Sequence, residues 1–216
     1  QLVLERVGRD KLVLEVGAHT GYFTDRLRLQ GCHVTAVEMD PAAAQKAAAR
    51  ADRIIVGDIE DDKVRAQLAE PFDVILYMHI LEHLVDPWGV LRESRRMLKK
   101  GGSIIILIPN VAAWHVRKDL FFKGIFEYED VGILDRTHLR FFTLNSARAL
   151  VEEAGYRITF WTPTDICVPL ERRIRHMPVI GTLSRVWSDW MTGRFPNLCS
   201  EILFFQIGRA SCRERV

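Results

Sequence analysis

Three sets of side chains in this sequence have the types and spacing to do chemistry. The first is Glu15-x-Gly17-x-x-x-Gly21, which follows the apolar run Leu12-Val13-Leu14-Glu15-Val16 and precedes helically spaced apolar positions in Phe23-Thr24-Asp25-Arg26-Leu27. That order reads as a strand, a tight turn and a helix. Glycines without a Cβ let a ligand approach the backbone, and open α/β sheets bind ligands in the crevice past the strands' carboxyl ends. The second is Glu38, 21 residues beyond Gly17 and ending the next strand-like run, where a carboxylate is placed to accept both hydroxyls of a ribose. The third is rich in histidine. His79, Glu82 and His83 stand at i, i+3 and i+4 and share one face if that segment is helical, and His138 lies far along the chain. Imidazoles titrate near neutrality, so His83 and His138 are candidate bases. With His79 and Glu82 they also make a candidate four-ligand set for a zinc-like, imidazole-tolerant ion. The plainer readings are an ordinary strand-to-helix turn, an exposed strand end and structural histidines.

The elements that must position these residues alternate along the chain. After the first helix, His33 to Glu38 reads as a strand, and Asp40 with Pro41 starts an alanine-rich helix. Arg53 to Val56 is a third strand ending at Gly57-Asp58-Ile59, and Phe72 to Met78 is a continuous apolar strand of the kind buried on both faces of a parallel sheet. Asp86-Pro87 caps a helix that is expected to stop at Lys99-Lys100-Gly101-Gly102, before a fifth strand from Ser103 to Ile108. Residues 111–137 scatter aromatic residues among charges without a period and read as a lid or as an insertion on the sheet edge. A helix follows from Leu144 to Ala154 with Thr143 or Asn145 as its cap, and Tyr156–Trp161 and Cys199–Gln206 are the last two strands. The expected fold is α/β: a Rossmann-like, seven-stranded, mostly parallel sheet with helices on both faces and an antiparallel last strand. Residues 165–198 form a second insertion, with Arg172, Arg173, Arg175, Trp187 and Trp190 on an amphipathic helix; a solvated face is the reading preferred there over membrane-surface contact.

Hydrophobic residues at 48% and charged residues at 27% describe an ordinary globular chain, here read as one domain over residues 1–206. Residues 207–216 read like a translated sequencing adapter and are set aside. Without their three arginines and one glutamate the net charge of +2 falls to zero, which gives no argument for a nucleic-acid partner. Cys32, Cys167 and Cys199 are widely spaced and fit thiols in a reducing, cytoplasmic compartment. No apolar run approaches the roughly 20 residues of a membrane span.

The glycine turn is not that of a dinucleotide fold, whose first, third and sixth glycines fall here on Gly17, His19 and Tyr22. It resembles motif I of the class I S-adenosylmethionine-dependent methyltransferases, with His19 in place of the middle glycine; a residue other than glycine there is expected to avoid positive φ. The resemblance implies that Glu15 serves the ammonium end of the cofactor, that Gly17, Ala18, His19, Gly21 and Tyr22 line it, and that Glu38 and Met39 take the ribose. It also implies that Asp58 accepts the adenine amino group and Ile59 covers the ring, and it places His79 in the motif IV region, where the family often has an acid. Pro109 to Trp114 and Leu134 to Thr143 are similar to one bacterial branch, found among enzymes that tailor surface glycans and small molecules. The implied activity is methyl transfer from S-adenosylmethionine to an oxygen, less often a nitrogen or carboxylate, of a small molecule or glycan. His138 is then the base, oriented by Asp135 or Arg136, with His83 as the second candidate. Some related enzymes, including RNA 2′-O and ubiquinone-type O-methyltransferases, hold a divalent ion at comparable positions. The alternative is an inactive protein of this fold acting as partner to a biosynthetic enzyme.

Overall fold

The computed structural model describes residues 1–68, 71–163, 190–191 and 193–209. Strands β1 (Leu12–Val16), β2 (His33–Glu38), β3 (Arg53–Val56), β4 (Phe72–Met78) and β5 (Leu98–Pro109) run parallel. Two further strands, β6 (Tyr156–Pro163) and β7 (Glu201–Arg209), complete the sheet in the order β3-β2-β1-β4-β5-β7-β6, with β7 antiparallel to both neighbours. The expected fold is the one observed.

Apolar runs become central strands here because both faces are covered. Leu14, Val16, Ile75, Tyr77, Ile104 and Ile106 point to the face covered by α5 (Pro87–Met97) and α7 (Leu144–Glu153). The alternate residues Val13, Val74, Leu76 and Ile105 point to the face covered by α1 (Leu2–Val7) and α2 (Tyr22–Leu29). Asp40 accepts from Ala42 N–H and caps α3 (Pro41–Ala48), and Asp86 does the same for Gly89 N–H in α5. Thr143 caps α7 through a reciprocal pair with Ser146, so Asn145 is not the cap.

Three boundaries differ from the expectation. Helix α1 is only six residues long, too short to show a period, yet it buries Val3, Leu4 and Val7. Strand β5 begins at Leu98, directly after α5, and Gly101 at φ 83° sits in the register irregularity opposite Phe72–Val74. The lysine–glycine stretch is therefore strand rather than helix stop. Strand β7 continues through Ile207–Arg209, into the segment set aside as a tail; Ile207 pairs with Ser103 and Arg209 with Tyr156. Within residues 111–137, α6 (Trp114–Lys123) buries only Val116, and Phe121 and Phe122 are exposed. Cys32 and Cys199 are buried. Cys167, Arg172, Arg173, Arg175 and Trp187 lie outside the described residues, while Trp190 is exposed and packs edge-on to Phe195. No described helix is long and apolar enough to cross a membrane.

Candidate functional site

The register fixes where the site lies. Val16 pairs with Val37 on one side and Tyr77 on the other, so Gly17, Glu38 and His79 follow adjacent strands at one carboxyl edge. Strand β1 has β2 on one side and β4 on the other, which makes this edge the switch point where such sheets bind ligands.

The turn after β1 is built as a receptor for backbone and side-chain partners. Gly17 N–H donates to Val37 O at 2.8 Å, and Gly17 and Gly21 have φ of 76° and 78°. His19 adopts φ 48°, so the expectation that a residue other than glycine would avoid this region is corrected. Its N–H donates to Glu38 Oε2 at 2.7 Å, and Glu38 Oε1 accepts Asp40 N–H at 2.9 Å, which offsets the cost of the left-handed backbone. The glycines are needed for packing as well as for φ. A Cβ on Gly17 would overlap Ile80 Cδ1, and one on Gly21 would press on Ala47 of α3 at 3.0 Å. Ala18 is buried with Ala36 and Ala47, whereas Tyr22 and Met39 are exposed along the same rim.

Glu15 is buried rather than open to the edge, and Thr24 Oγ1 donates to its Oε2 at 2.5 Å. Burial pushes its pKa up to about 7, against the opposing effect of the Thr24 hydrogen bond. Asp58 is exposed in the loop after β3, with one carboxylate oxygen accepting Glu60 N–H at 2.8 Å. Ile59 is buried in the main core and its carbonyl accepts Arg65 Nη1 at 2.8 Å, so it supports the loop from beneath.

The second half of the site follows β4. His79 follows the strand at φ 56°, and Leu81–His83 is a 3₁₀ turn rather than a helix. The shared helical face of His79, Glu82 and His83 is therefore not formed. What assembles instead is Glu82, His83 and His138, whose candidate ligand atoms lie within 4.8 Å of one another. Glu82 is fully buried, and among the described residues neither of its carboxylate oxygens has a hydrogen-bond partner. The His83 and His138 rings meet edge to face at 4.8 Å. His138 Nδ1 lies 3.0 Å from the Ile133 carbonyl and His83 Nδ1 lies 3.3 Å from that of Thr137, each placed to donate, which leaves both Nε2 lone pairs for another partner. His79 stands apart from the three. Its Nδ1 is 3.5 Å from Glu82 Oε1 and its Nε2 is 3.5 Å from Glu201 Oε1. Burial works against the His79 imidazolium, but the carboxylates of Glu82 and Glu201 outweigh it and raise its pKa. These residues, with Asp135, Pro109 and Ser200, line a cavity of about 330 Å³. Asp135 is turned toward Thr137, whose hydroxyl and N–H it accepts at 2.6 and 2.7 Å, and Arg136 is paired with Asp130; neither orients His138 through its side chain.

Three residues that brace the site without lining its cavity carried no local signal. Asn110 is fully buried and donates to the Cys199 and Asn197 carbonyls at 2.7 and 3.0 Å, fastening the end of β5 to the start of β7. Phe141 stacks tilted or edge-on with Phe126, Tyr128 and His138, forming an aromatic wall beside the cluster. Glu60 reaches across to Val85 and Asp86. Asn110 and Phe141 stood within segments already singled out, Pro109 to Trp114 and Leu134 to Thr143; Glu60 did not.

A doubly wound sheet with a glycine turn, an acid at the end of the second strand and a histidine cluster beyond the fourth has the architecture of the nucleotide-cofactor α/β domains. The profile of the methyltransferase domain family matches residues 2–159, and the chain belongs to that family, whose methyl donor is S-adenosylmethionine. Among curated proteins, a ubiquinone biosynthesis O-methyltransferase of Pseudomonas savastanoi is 33% identical over 113 residues, covering 49% of this chain and 48% of that protein. One of the same name from Xylella fastidiosa is 33% identical over 134 residues, covering 55% and 53%. The chain spans about half the length of these relatives. A SAM-dependent methyltransferase structure from Archaeoglobus fulgidus superposes with a TM-score of 0.65 at 16% identity, covering 95% of this chain and 93% of that one, a likeness of fold.

Proposed function

We propose that this chain transfers a methyl group from S-adenosylmethionine to an oxygen of a small-molecule or glycan acceptor, and that Glu82, His83 and His138 hold a divalent ion beside the transfer site. The observation that carries this reading is Glu82: its carboxylate has no solvent and, among the described residues, no hydrogen-bond partner, with only the His79 imidazole 3.5 Å away, and such burial costs several kcal/mol unless cationic charge compensates it. Two imidazoles with Nδ1 fixed on backbone carbonyls, whose Nε2 atoms make no hydrogen bond among the described residues, are the remaining donors such a cation needs. The O-methyltransferase names of the relatives favour oxygen as the acceptor atom.

S-adenosylmethionine supplies an electrophilic methyl on a sulfonium, and a divalent ion at this place would lower the pKa of an acceptor hydroxyl. The chain's own work is positioning and exclusion of water. Glu38 and the turn from Gly17 to Gly21 hold the nucleoside end, with Asp58 in reach of the adenine side. Phe141, packed on Phe126 and Tyr128, backs the His138 ring beside the cavity. His138 Nε2 is the atom placed to receive the acceptor's proton where no ion is bound. His79 and Glu201 close the opposite flank. A cytoplasmic setting and the absence of a nucleic-acid partner belong to the same reading.

The test is calorimetry of S-adenosylmethionine and S-adenosylhomocysteine binding, with and without chelator, beside Glu38→Ala. Micromolar binding, about −8 kcal/mol, lost in the variant and strengthened by a divalent ion, is expected. A folded protein that binds neither would overturn the reading.

A further inference from the structure

The cofactor loop after β3 and the histidine cluster are joined by a line of hydrogen bonds that neither half of the site requires for its own chemistry. Glu60 N–H donates to Asp58 Oδ1 at 2.8 Å. The Glu60 carboxylate accepts Val85 N–H at 2.9 Å and Asp86 N–H at 2.7 Å, 25 and 26 residues along the chain. Val85 O accepts Arg140 Nη2 at 2.7 Å, and Glu82 O accepts the N–H groups of Leu139 and Arg140 at 2.9 and 3.0 Å. Thus Asp58–Glu60, Glu82–Asp86 and His138–Arg140 are laced in series. Val85 is 65% exposed and Glu60 only half-buried, so this line runs over the rim, above Ile59 and Leu84 of the main core.

We propose that Glu60 and Arg140 are positioning residues that couple occupation of the Asp58 loop by the cofactor to assembly of the Glu82–His83–His138 cluster. The physical route is entropic and local. A ligand amino group accepted by Asp58 fixes the turn that presents Glu60. A fixed Glu60 holds Val85 and Asp86, and the ordering of the next segment is then already met before an ion or acceptor arrives. Because the coupling is a difference in binding free energy, it is reciprocal. The inference rests on the proposed site reading, and the experiment separates their failures.

Zinc and S-adenosylhomocysteine serve as probes, each titrated by calorimetry into the full chain alone and in the presence of the other. In the unsubstituted protein each ligand is expected to tighten the other at least fivefold. In Glu60→Ala each binds alone within about threefold of that protein while the mutual effect falls below twofold. Arg140→Ala, which cuts the same line at its other end, is expected to do likewise and stands in if Glu60→Ala fails to fold. Full coupling in either folded variant would overturn the inference, as would independent binding of the two probes to the unsubstituted protein, an outcome that leaves the site reading intact. Failure of the unsubstituted protein to bind either probe would overturn both.

Discussion

Glu38 and His19 are bound to each other through the backbone: the Glu38 carboxylate accepts the His19 N–H at 2.7 Å, and His19 sits at φ 48° where motif I relatives carry glycine. The acid expected to hold a ribose therefore also holds the turn that faces it. With its other oxygen on Asp40 N–H, Glu38 supports two backbone donors while leaving lone pairs for hydroxyls. Glu38→Ala is expected to weaken S-adenosylhomocysteine at least tenfold in calorimetry and to lower stability by about 1 kcal/mol in urea unfolding. An unchanged affinity would remove Glu38 from the cofactor site.

Gly17 and Ile80 form a second such pair. A Cβ at residue 17 meets two separate penalties, the positive φ and the overlap with Ile80 Cδ1. Gly17→Ala is expected to cost about 3 kcal/mol, of which the left-handed backbone accounts for about 1 to 2 and overpacking for the rest. In an Ile80→Ala background the same substitution should cost only the backbone share. Urea unfolding of the four proteins measures the difference, and equal costs in both backgrounds would mean that Ile80 does not fill that space in solution.

These pairs show where sequence reading reached and where it stopped. Strands β1 and β4 were legible because each is a short apolar run bounded by turn residues, and burial on both faces leaves no competing pattern. Glu38 was singled out because its distance from the glycine turn follows from the length of a strand–helix–strand unit, whereas Glu15 and Asp58 were singled out through the resemblance to the methyltransferase motifs. The third-dimension partners were not legible: Ile80 over Gly17, Glu60 on Val85 and Asn110 on Cys199 are long-range contacts with no period. The segment from His79 to His83 misled for a physical reason. Spacing of i, i+3 and i+4 gives a shared face only in an α-helix, and a left-handed residue followed by a 3₁₀ turn swings His79 away from His83 while leaving Glu82 and His83 beside His138.

Glu15 sets a pH dependence of stability. Burial pushes its pKa from the ordinary 4.5 up to about 7 in the folded chain, so between those values the folded state holds a proton that the unfolded state has released. The stability it confers is full below about pH 4.5 and is lost as pH rises through 7, a fall of roughly 3 kcal/mol at most. Glu15→Gln removes that fall. The stability difference between the variant and the parent, measured by urea unfolding at pH 5 and pH 8, should move in the variant's favour at the higher pH. A difference independent of pH would show that Glu15 is solvated or charge-paired in solution.

Glu82 separates stability from function. In chelator, its buried carboxylate has no hydrogen-bond partner among the described residues and only the His79 imidazole at 3.5 Å beside it, so Glu82→Gln, which removes the charge at nearly constant volume, should leave the apo protein as stable or raise its melting temperature by a few degrees. The same change takes away the one anionic ligand of the cluster. Zinc, which should raise the melting temperature of the parent by mass action, should then leave that of the variant unmoved, and methyl transfer should fall by at least a hundredfold. Thermal unfolding of both proteins in chelator and in zinc checks each half. A variant that is strongly destabilised in chelator and still stabilised by zinc would mean that Glu82 is paired by the fold itself and that the ion, if bound, sits elsewhere.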